Sequence, residues 1–402
     1  MSMAKKSIKG VTIYDPDKAF EGYTLIAPQG GYNVWLVNME GEIVYHWPFK
    51  YQPGLFARLL PNGNLLYQGL EEKHPQGPLI VVRDASGKVI MRWASGGDEY
   101  LFEMDPGYNI VWEYRDLLLN HDFYPQKNGN IMLTKYTLVP EKIKEKIKGG
   151  IEVPKDAPMW CDKLEEIDRE GNVVWEWFSY DHMDFDLDRI HPLIHRYEWT
   201  HMNTCSIMPN GDVLGAFRTQ DLIFIIDKET KKVKWRYGQG DGELSQPHEP
   251  TPLKNGNILV LDNGEYRRYS TKYSWSRVVE IDPKTNKIVW EYKEDPPFLF
   301  FSGNQCGCQR LANGNTLITE SLSGRIFEVN KSGEKVWEYL SPFYGTHAGQ
   351  KANPIIYRAY RYGENYSGIK KLNLDPHRYR WVNAIYGQNA LQGKVIERRD
   401  KP

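Results

Sequence analysis

The stretch MPNGDVL, from Met208 to Leu214, decides the fold because four near-copies of it stand elsewhere in the chain. They read LPNGNLL from Leu60, QKNGNIML from Gln126, LKNGNILV from Leu253 and LANGNTLI from Leu311. Asn-Gly between two short apolar runs is a strong local hairpin signal, since a two-residue type I′ turn needs positive φ at both central positions. A second phrase, ending in an aromatic, recurs in the same rhythm. It appears as IVYHW to Trp47, IVWEY to Tyr114, VVWEW to Trp177, VKWRY to Tyr237, IVWEY to Tyr292 and KVWEY to Tyr339. A four-strand unit repeating every about 40 to 60 residues is the mark of a propeller blade. The expected fold is all-β: a six-bladed β-propeller with inserted loops on one face, seven blades being the fallback.

The blades follow from the repeats. Blade one spans residues 10–47, blade two opens at Phe56, and blade three covers 121–177. Blades four, five and six cover 200–237, 247–292 and 305–339. Blade two holds two candidate outer pairs, one ending at Trp93 and one at Tyr114. They lie too close together for two blades, so one is read as an inserted hairpin. Residues 137–160, rich in lysine, and 179–198, with His182, His191 and His195, interrupt the rhythm and are candidate lids. The propeller is expected within 10–345, with 346–402 as a C-terminal extension that closes or caps it.

Composition narrows the function classes. Lysine plus arginine number 51 against 52 aspartate plus glutamate, so no global field points to nucleic acid or to a membrane surface. The opening MSMAKKS is followed by no apolar signal-peptide core, and no run approaches the roughly 20 apolar residues of a membrane span. Cys161, Cys205, Cys306 and Cys308 are too few and too irregular for a disulfide framework. A soluble cytoplasmic protein is expected.

Hairpin register suggests where chemistry gathers. With a two-residue turn at each Asn-Gly, counting outward sets His248 opposite Asn263 and His121 opposite Tyr136. It also sets Asn203 opposite Arg218 and Cys306 opposite Ser321. In a propeller these positions share one mouth of the central channel, so His121, His201 and His248 are expected to converge. Arg218, Arg267 and Arg268 follow the second strands of their blades and join them. A lone polar residue at such a place is commonly structural, because the channel is wet; three histidines beside arginines argue for a site. Arginine binds sulfuryl, phosphoryl or carboxylate oxygens through paired hydrogen bonds. A neutral histidine can attack such a group, and a protonated one can supply a proton to the leaving oxygen. Tyr136, Tyr266, Trp199 and Phe217 are candidates to hold a planar ring. His46, His74 and His377 read as solvated. Cys306-Gly307-Cys308 lacks the second cysteine pair that a metal site needs.

The run WTHMNTCSIMPNGDVLGAFR from Trp199 resembles a histidine-bearing blade of the bacterial arylsulfate sulfotransferases. QPHEPTPLKNGNILVLDNGEYRR from Gln246 resembles their blade with the Asp-Asn-Gly signature, and the VWEY and RIFEV endings are similar too. The resemblance runs from Gly10 to about Tyr362. It implies a six-bladed propeller that moves a sulfuryl group between phenols through a sulfohistidine, without a nucleotide donor. By motif, His201 and His248 match two histidines of that site, and Arg267 or Arg268 matches its arginine. The family's covalent histidine belongs to the last blade, where this chain has ITESLSGRIFEV and no histidine between His248 and His347.

The leading expectation is group transfer from a phenolic ester, with sulfate the favoured group and a small aromatic or anionic molecule as substrate. His201, His248, Arg267, Arg268 and His121 are its candidate catalytic residues. Arg218, Asn203, Tyr136, Glu249 and His347 are its candidate binding residues. No cofactor is expected. One alternative is a lyase or oxygenase whose Mn, Fe or Zn ion is held by His121, His201 and His248 with His347 or Glu249. The other is a binding scaffold without chemistry.

Overall fold

The Asn-Gly phrases do turn the chain, but not as type I′ turns. In the computed structural model Gly63, Gly129, Gly211, Gly256 and Gly314 have φ of 91, 92, 91, 88 and 92°, while none of the asparagines before them has positive φ. Gly256 N–H donates to Leu253 O at 3.0 Å, and Leu253 N–H to Asn257 O at 2.8 Å. This is a type I turn closed by a left-handed glycine, a three-residue loop with a bulge. The first asparagine locks it locally: Asn255 Oδ1 accepts from Asn257 N–H at 3.0 Å. The second is tied to a glutamate on the third strand. Asn64 Nδ2 donates to Glu103 at 2.6 Å, Asn130 to Glu166 at 2.6 Å and Asn257 to Glu280 at 2.7 Å. The longer loop shifts the ladder, so Pro252 pairs with Ile258 where a two-residue turn would pair it with Leu259.

The structure describes residues 9–50, 52–70, 79–83, 89–94, 100–239, 243–267, 273–347, 350–386 and 394–395. They form an all-β chain in a six-bladed β-propeller arrangement, and they fall into two compact units. The first unit draws on residues 1–72, 100–114 and 305–402. In it, blade one is built, in sheet order, from Ile356–Gly363, Gly22–Pro28, Asn33–Val37 and Ile43–Pro48. Blade two comprises Gln52–Leu59, Leu65–Leu70, Tyr100–Met104 and Ile110–Arg115. Blade six comprises Gly307–Arg310, Thr316–Glu320, Arg325–Val329 and Lys335–Leu340. Among the described residues, Leu79–Arg83 and Val89–Ala94 pair only with each other, which makes them the inserted hairpin.

Both chain ends enter blades of the first unit. Gly10–Tyr14 runs antiparallel beside Lys335–Leu340 as a fifth strand of blade six, with Lys394–Val395 parallel to it on the far side. Ile356–Gly363, inside the segment read as an extension, pairs antiparallel with Gly22–Pro28 of blade one.

The second unit, residues 73–99 and 115–304, holds blades three, four and five. Blade three is Leu119–Pro125, Ile131–Leu138, Trp160–Ile167 and Val173–Phe178. Blade four is Met202–Ile207, Val213–Phe217, Leu222–Ile226 and Val233–Gly238. Blade five is His248–Pro252, Ile258–Asp262, Arg277–Asp282 and Lys287–Tyr292. The middle strands of blade four are buried at every position because a neighbouring blade covers each face. Met132, Leu164, Trp177, Phe217 and Phe224 pack on one side, and Leu214, Ile223, Val260 and Ile281 on the other.

Tryptophans of three of the aromatic phrases link one blade to the next. Trp175 Nε1 donates to Lys228 O at 2.9 Å and Trp177 Nε1 to Lys231 O at 3.0 Å, from blade three to the outer turn of blade four. Trp235 reaches Asn286 Oδ1 of blade five at 2.8 Å. In the first unit Trp337 of blade six reaches Met39 O of blade one at 2.8 Å. A buried indole needs such an acceptor, and the outer-turn carbonyls supply it. Among the described residues no helix is long and apolar enough to cross a membrane.

Candidate functional site

The first strands of blades three, four and five lie side by side. Asp122 Oδ2 accepts from Cys205 N–H at 3.0 Å, Asn203 Nδ2 donates to Pro247 O at 2.8 Å, and Glu249 N–H donates to Thr204 Oγ1 at 3.0 Å. Each of these strands also breaks register, between Leu119 and Phe123, Met202 and Thr204, and His248 and Thr251. Bulges re-aim side chains at the rims of β-structures. Here they fall at His121, Asn203 and the residues after His248.

His121 and His201 meet directly, Nε2 to Nε2 at 3.2 Å, with ring centroids 4.5 Å apart and the rings edge to face. Behind them the other ring nitrogens are held. His201 Nδ1 lies 2.8 Å from Glu198 Oε2. His121 Nδ1 bonds Asn120 Oδ1, which also accepts the backbone N–H of His121 at 2.7 Å. Asn120 Nδ2 in turn donates to Asp162 Oδ1. Asp162 Oδ2 accepts from Thr200 Oγ1 at 2.7 Å and from Met202 N–H at 2.8 Å. Burial, and then the Glu198 carboxylate, push the Asp162 pKa well above the usual carboxylate range. Burial, and then the Arg218 guanidinium, hold His201 well below the usual imidazole range.

His248 is fixed within its own blade. Its backbone pairs with Leu261 rather than Asn263, yet its Nδ1 still reaches Asn263 Oδ1 at 2.7 Å and Gln246 O at 3.1 Å. A backbone carbonyl only accepts, so Nδ1 carries a hydrogen, and in the neutral ring Nε2 then holds the lone pair.

The arginines divide. Arg218 opens a short 3₁₀ turn, Arg218–Gln220, and its backbone N–H donates to His201 O at 2.9 Å. Its Nε is buried without a hydrogen-bond partner, and among the described residues no carboxylate pairs with its guanidinium. Arg267 is committed: Nη2 bonds Asp262 at 2.7 Å and the guanidinium lies 4.3 Å from the Trp275 ring centroid. Arg268 and the side chain of His347 lie outside the described residues.

Asn203 is spent on Pro247 O and on Thr204 Oγ1, the latter at 3.0 Å, as a clamp between strands. Tyr136 is fully buried, pairs with Asp162 in the ladder, and packs edge-on to Trp160. Cys306 Sγ accepts from Ser321 N–H at 3.4 Å, so those two residues do meet.

Glu198, Asn120 and Asp162 were not among the residues singled out from the sequence. The available signal was Glu198 three positions before His201, at the end of an insertion. Gln246 was missed too; it is fully buried, and neither side-chain amide atom has a partner. The two insertions join through a parallel pairing of Gly149–Ile151 with Ile190–His195. Residues of the second insertion, among them Arg189 and His191, line a cleft of about 350 Å³ together with Thr219, Gln220 and Asp221. The His191 ring stacks on Tyr266 with centroids 4.8 Å apart. As a metal centre the histidine pair is a poor donor set, since among the described residues no third His, Cys, Asp or Glu completes a group with it.

The family model of arylsulfotransferase (ASST) matches residues 79–341. A quinoprotein ethanol dehydrogenase from Pseudomonas putida is 26% identical over 146 residues, 34% of this chain and 21% of that protein. The match thus spans about a fifth of the curated relative's length. Among solved structures, a protein of unknown function from Bacteroides caccae aligns at TM-score 0.48 and 11% identity, covering 84% of this chain and 98% of that one. A streptogramin B lyase aligns at TM-score 0.44 and 10% identity, covering 86% and 87%.

Proposed function

The chain belongs to the arylsulfotransferase (ASST) family, and from that premise we propose that it moves a sulfuryl group between aryl oxygens at the site of His121, His201, His248 and Arg218. Arg218 carries the reading. Its Nε is buried without a partner, and its charge adds to burial in lowering the pKa of His201 rather than neutralising a carboxylate. A guanidinium left without an anion of its own suits the oxygens of a sulfate ester.

In this reading His248 is the nucleophile. Asn263 Oδ1 and Gln246 O hold its Nδ1–H, which aims the Nε2 lone pair. An N–S bond forms as the bond from sulfur to the donor's aryl oxygen breaks, and the phenolate leaves. A second phenol then takes the sulfuryl group from nitrogen by the reverse path. Arg218 stabilises charge on the sulfuryl oxygens in both steps, and the His121–His201 pair handles the protons. The substrate is a small aromatic anion, and neither nucleotide nor metal is required.

A cation between the two imidazoles is the competing reading of the close Nε2 pair, although only two protein ligands face it among the described residues. One experiment separates the two. Purified protein is given 4-nitrophenyl sulfate with and without an acceptor phenol, before and after chelation, and its metal content is measured. Acceptor-stimulated, chelator-insensitive nitrophenol release supports sulfuryl transfer. Stoichiometric metal with no release, or release abolished by the chelator, overturns it.

A further inference from the structure

We infer that Glu198, His201 and His121 form a proton-holding chain in which Glu198 keeps its proton and His201 Nε2–H donates to His121 Nε2. The backbone N–H of His121 donates to Asn120 Oδ1, so that atom is an oxygen and not a flipped amide nitrogen. The same oxygen bonds His121 Nδ1, which therefore carries a hydrogen, and neutral His121 has its lone pair at Nε2. If Glu198 were a carboxylate, it would take a hydrogen from His201 Nδ1 in the same way. Two lone pairs would then face each other across 3.2 Å. One additional proton among the three groups removes the conflict.

The surroundings say where that proton sits. Placing it on the imidazoles would set a buried cation next to Arg218, where burial, and then the guanidinium charge, already hold His201 towards its neutral form. Placing it on Glu198 removes that repulsion, and it also removes the repulsion between the Glu198 and Asp162 carboxyls. Asp162 keeps three donors: Asn120 Nδ2, Thr200 Oγ1 and Met202 N–H. A bridging cation would satisfy the lone pairs as well, but it would have only two protein ligands among the described residues.

The use of the chain rests on the sulfuryl-transfer reading. As the phenolate leaves, the hydrogen on His201 Nε2 passes to its oxygen while the Glu198 hydrogen passes to His201 Nδ1. The phenol is then neutral and Glu198 a carboxylate, and the two bare Nε2 atoms are left as the acceptor that draws the proton of the incoming phenol. The acceptor phenol restores the proton in the second half-reaction. Glu198 is thus a positioning residue that acts through His201.

Nitrogen-15 histidine NMR of the full chain tests the chain of hydrogens without reference to activity, with signals assigned from His121→Gln and His201→Gln. The expected pattern is Nδ1 bare and Nε2 protonated in His201, and the reverse in His121. It should persist in Glu198→Gln, whose amide N–H can still donate to Nδ1. Hydrogen on both Nδ1 atoms, or a pattern that changes on adding Zn²⁺ or a chelator, overturns the inference. In the kinetic arm, Glu198→Gln should slow transfer from phenyl sulfate at least tenfold more than from 4-nitrophenyl sulfate, whose leaving group needs little protonation. Equal losses on both substrates overturn the relay. The expected NMR pattern in a protein without sulfuryl transfer would count against the proposed function alone.

Discussion

His121 and His201, 80 residues apart in the chain, stand Nε2 to Nε2 at 3.2 Å. The contact joins the starts of two adjacent first strands, so its geometry depends on how blades three and four pack rather than on either hairpin alone. That dependence shapes the behaviour expected of variants.

Arg218→Ala should remove the unpaired positive charge and lower kcat by about 10²–10³-fold, equivalent to about 3–4 kcal/mol of transition-state stabilisation. Arg267→Ala should mainly cost stability, about 1–3 kcal/mol, because its guanidinium is bonded to the buried Asp262. Steady-state kinetics and urea unfolding on the two variants check the division; a larger kcat loss in Arg267→Ala would reverse the assignment.

Burial and Arg218 keep His201 well below its ordinary value of 6.5. The unfolded chain therefore takes up a proton there near that pH and the folded chain does not. Stability from this group is full above that pH, and it is lost as pH falls towards the folded pKa. Urea midpoints should drop from about pH 7.5 to about pH 5.5 more steeply in the wild type than in His201→Gln. Equal slopes would show that this imidazole does not govern the acid limb.

Trp337→Phe keeps a ring in the core but leaves Met39 O without its donor. The expected loss is about 1–3 kcal/mol, the cost of an unsatisfied buried acceptor, read from guanidinium unfolding. No change would mean that water replaces the indole.

Gly256 and Gly238 both sit in left-handed backbone, at φ 88 and 98°, but in different space. A Cβ on Gly256 meets nothing within 4 Å, whereas on Gly238 it runs into Asp221 O. Gly256→Ala should cost about 1–2 kcal/mol, the conformational term alone. Gly238→Ala should cost more, and it should also disturb the turn that follows Arg218.

Much of this was legible in the chain. Six aromatic phrases announce six blades, and the crowding before Tyr114 announces the inserted hairpin, because both are matters of spacing. Register is not. The asparagine of each Asn-Gly pair stays in negative φ, since its side chain already closes the loop, and the ladder moves by one residue. Bulges then slip it again beside His121, Asn203 and His248. Asn263 still found His248 because a side chain can span the slip. Glu198, Asn120 and Asp162 come from an insertion, a strand end and a third strand, which no hairpin count connects. Arg218 and Arg267 looked equivalent, since only packing reveals which one already has a carboxylate.

Gly10–Tyr14 and Ile356–Gly363 are woven into different blades, and in different roles. Gly10–Tyr14 covers the outer edge of Lys335–Leu340 and is itself flanked by Lys394–Val395, while Ile356–Gly363 is the strand on which another sheet begins. Proteolytic nicks beside the two strands should therefore do unlike damage. Freed from blade six, the first strand uncovers a row of unpaired backbone groups that invites pairing with a second molecule. Freed from blade one, the late strand exposes the apolar flank it shared with Gly22–Pro28, and the blade loses its foundation. The one injury should appear as self-association of a folded protein, and the other as loss of folding itself.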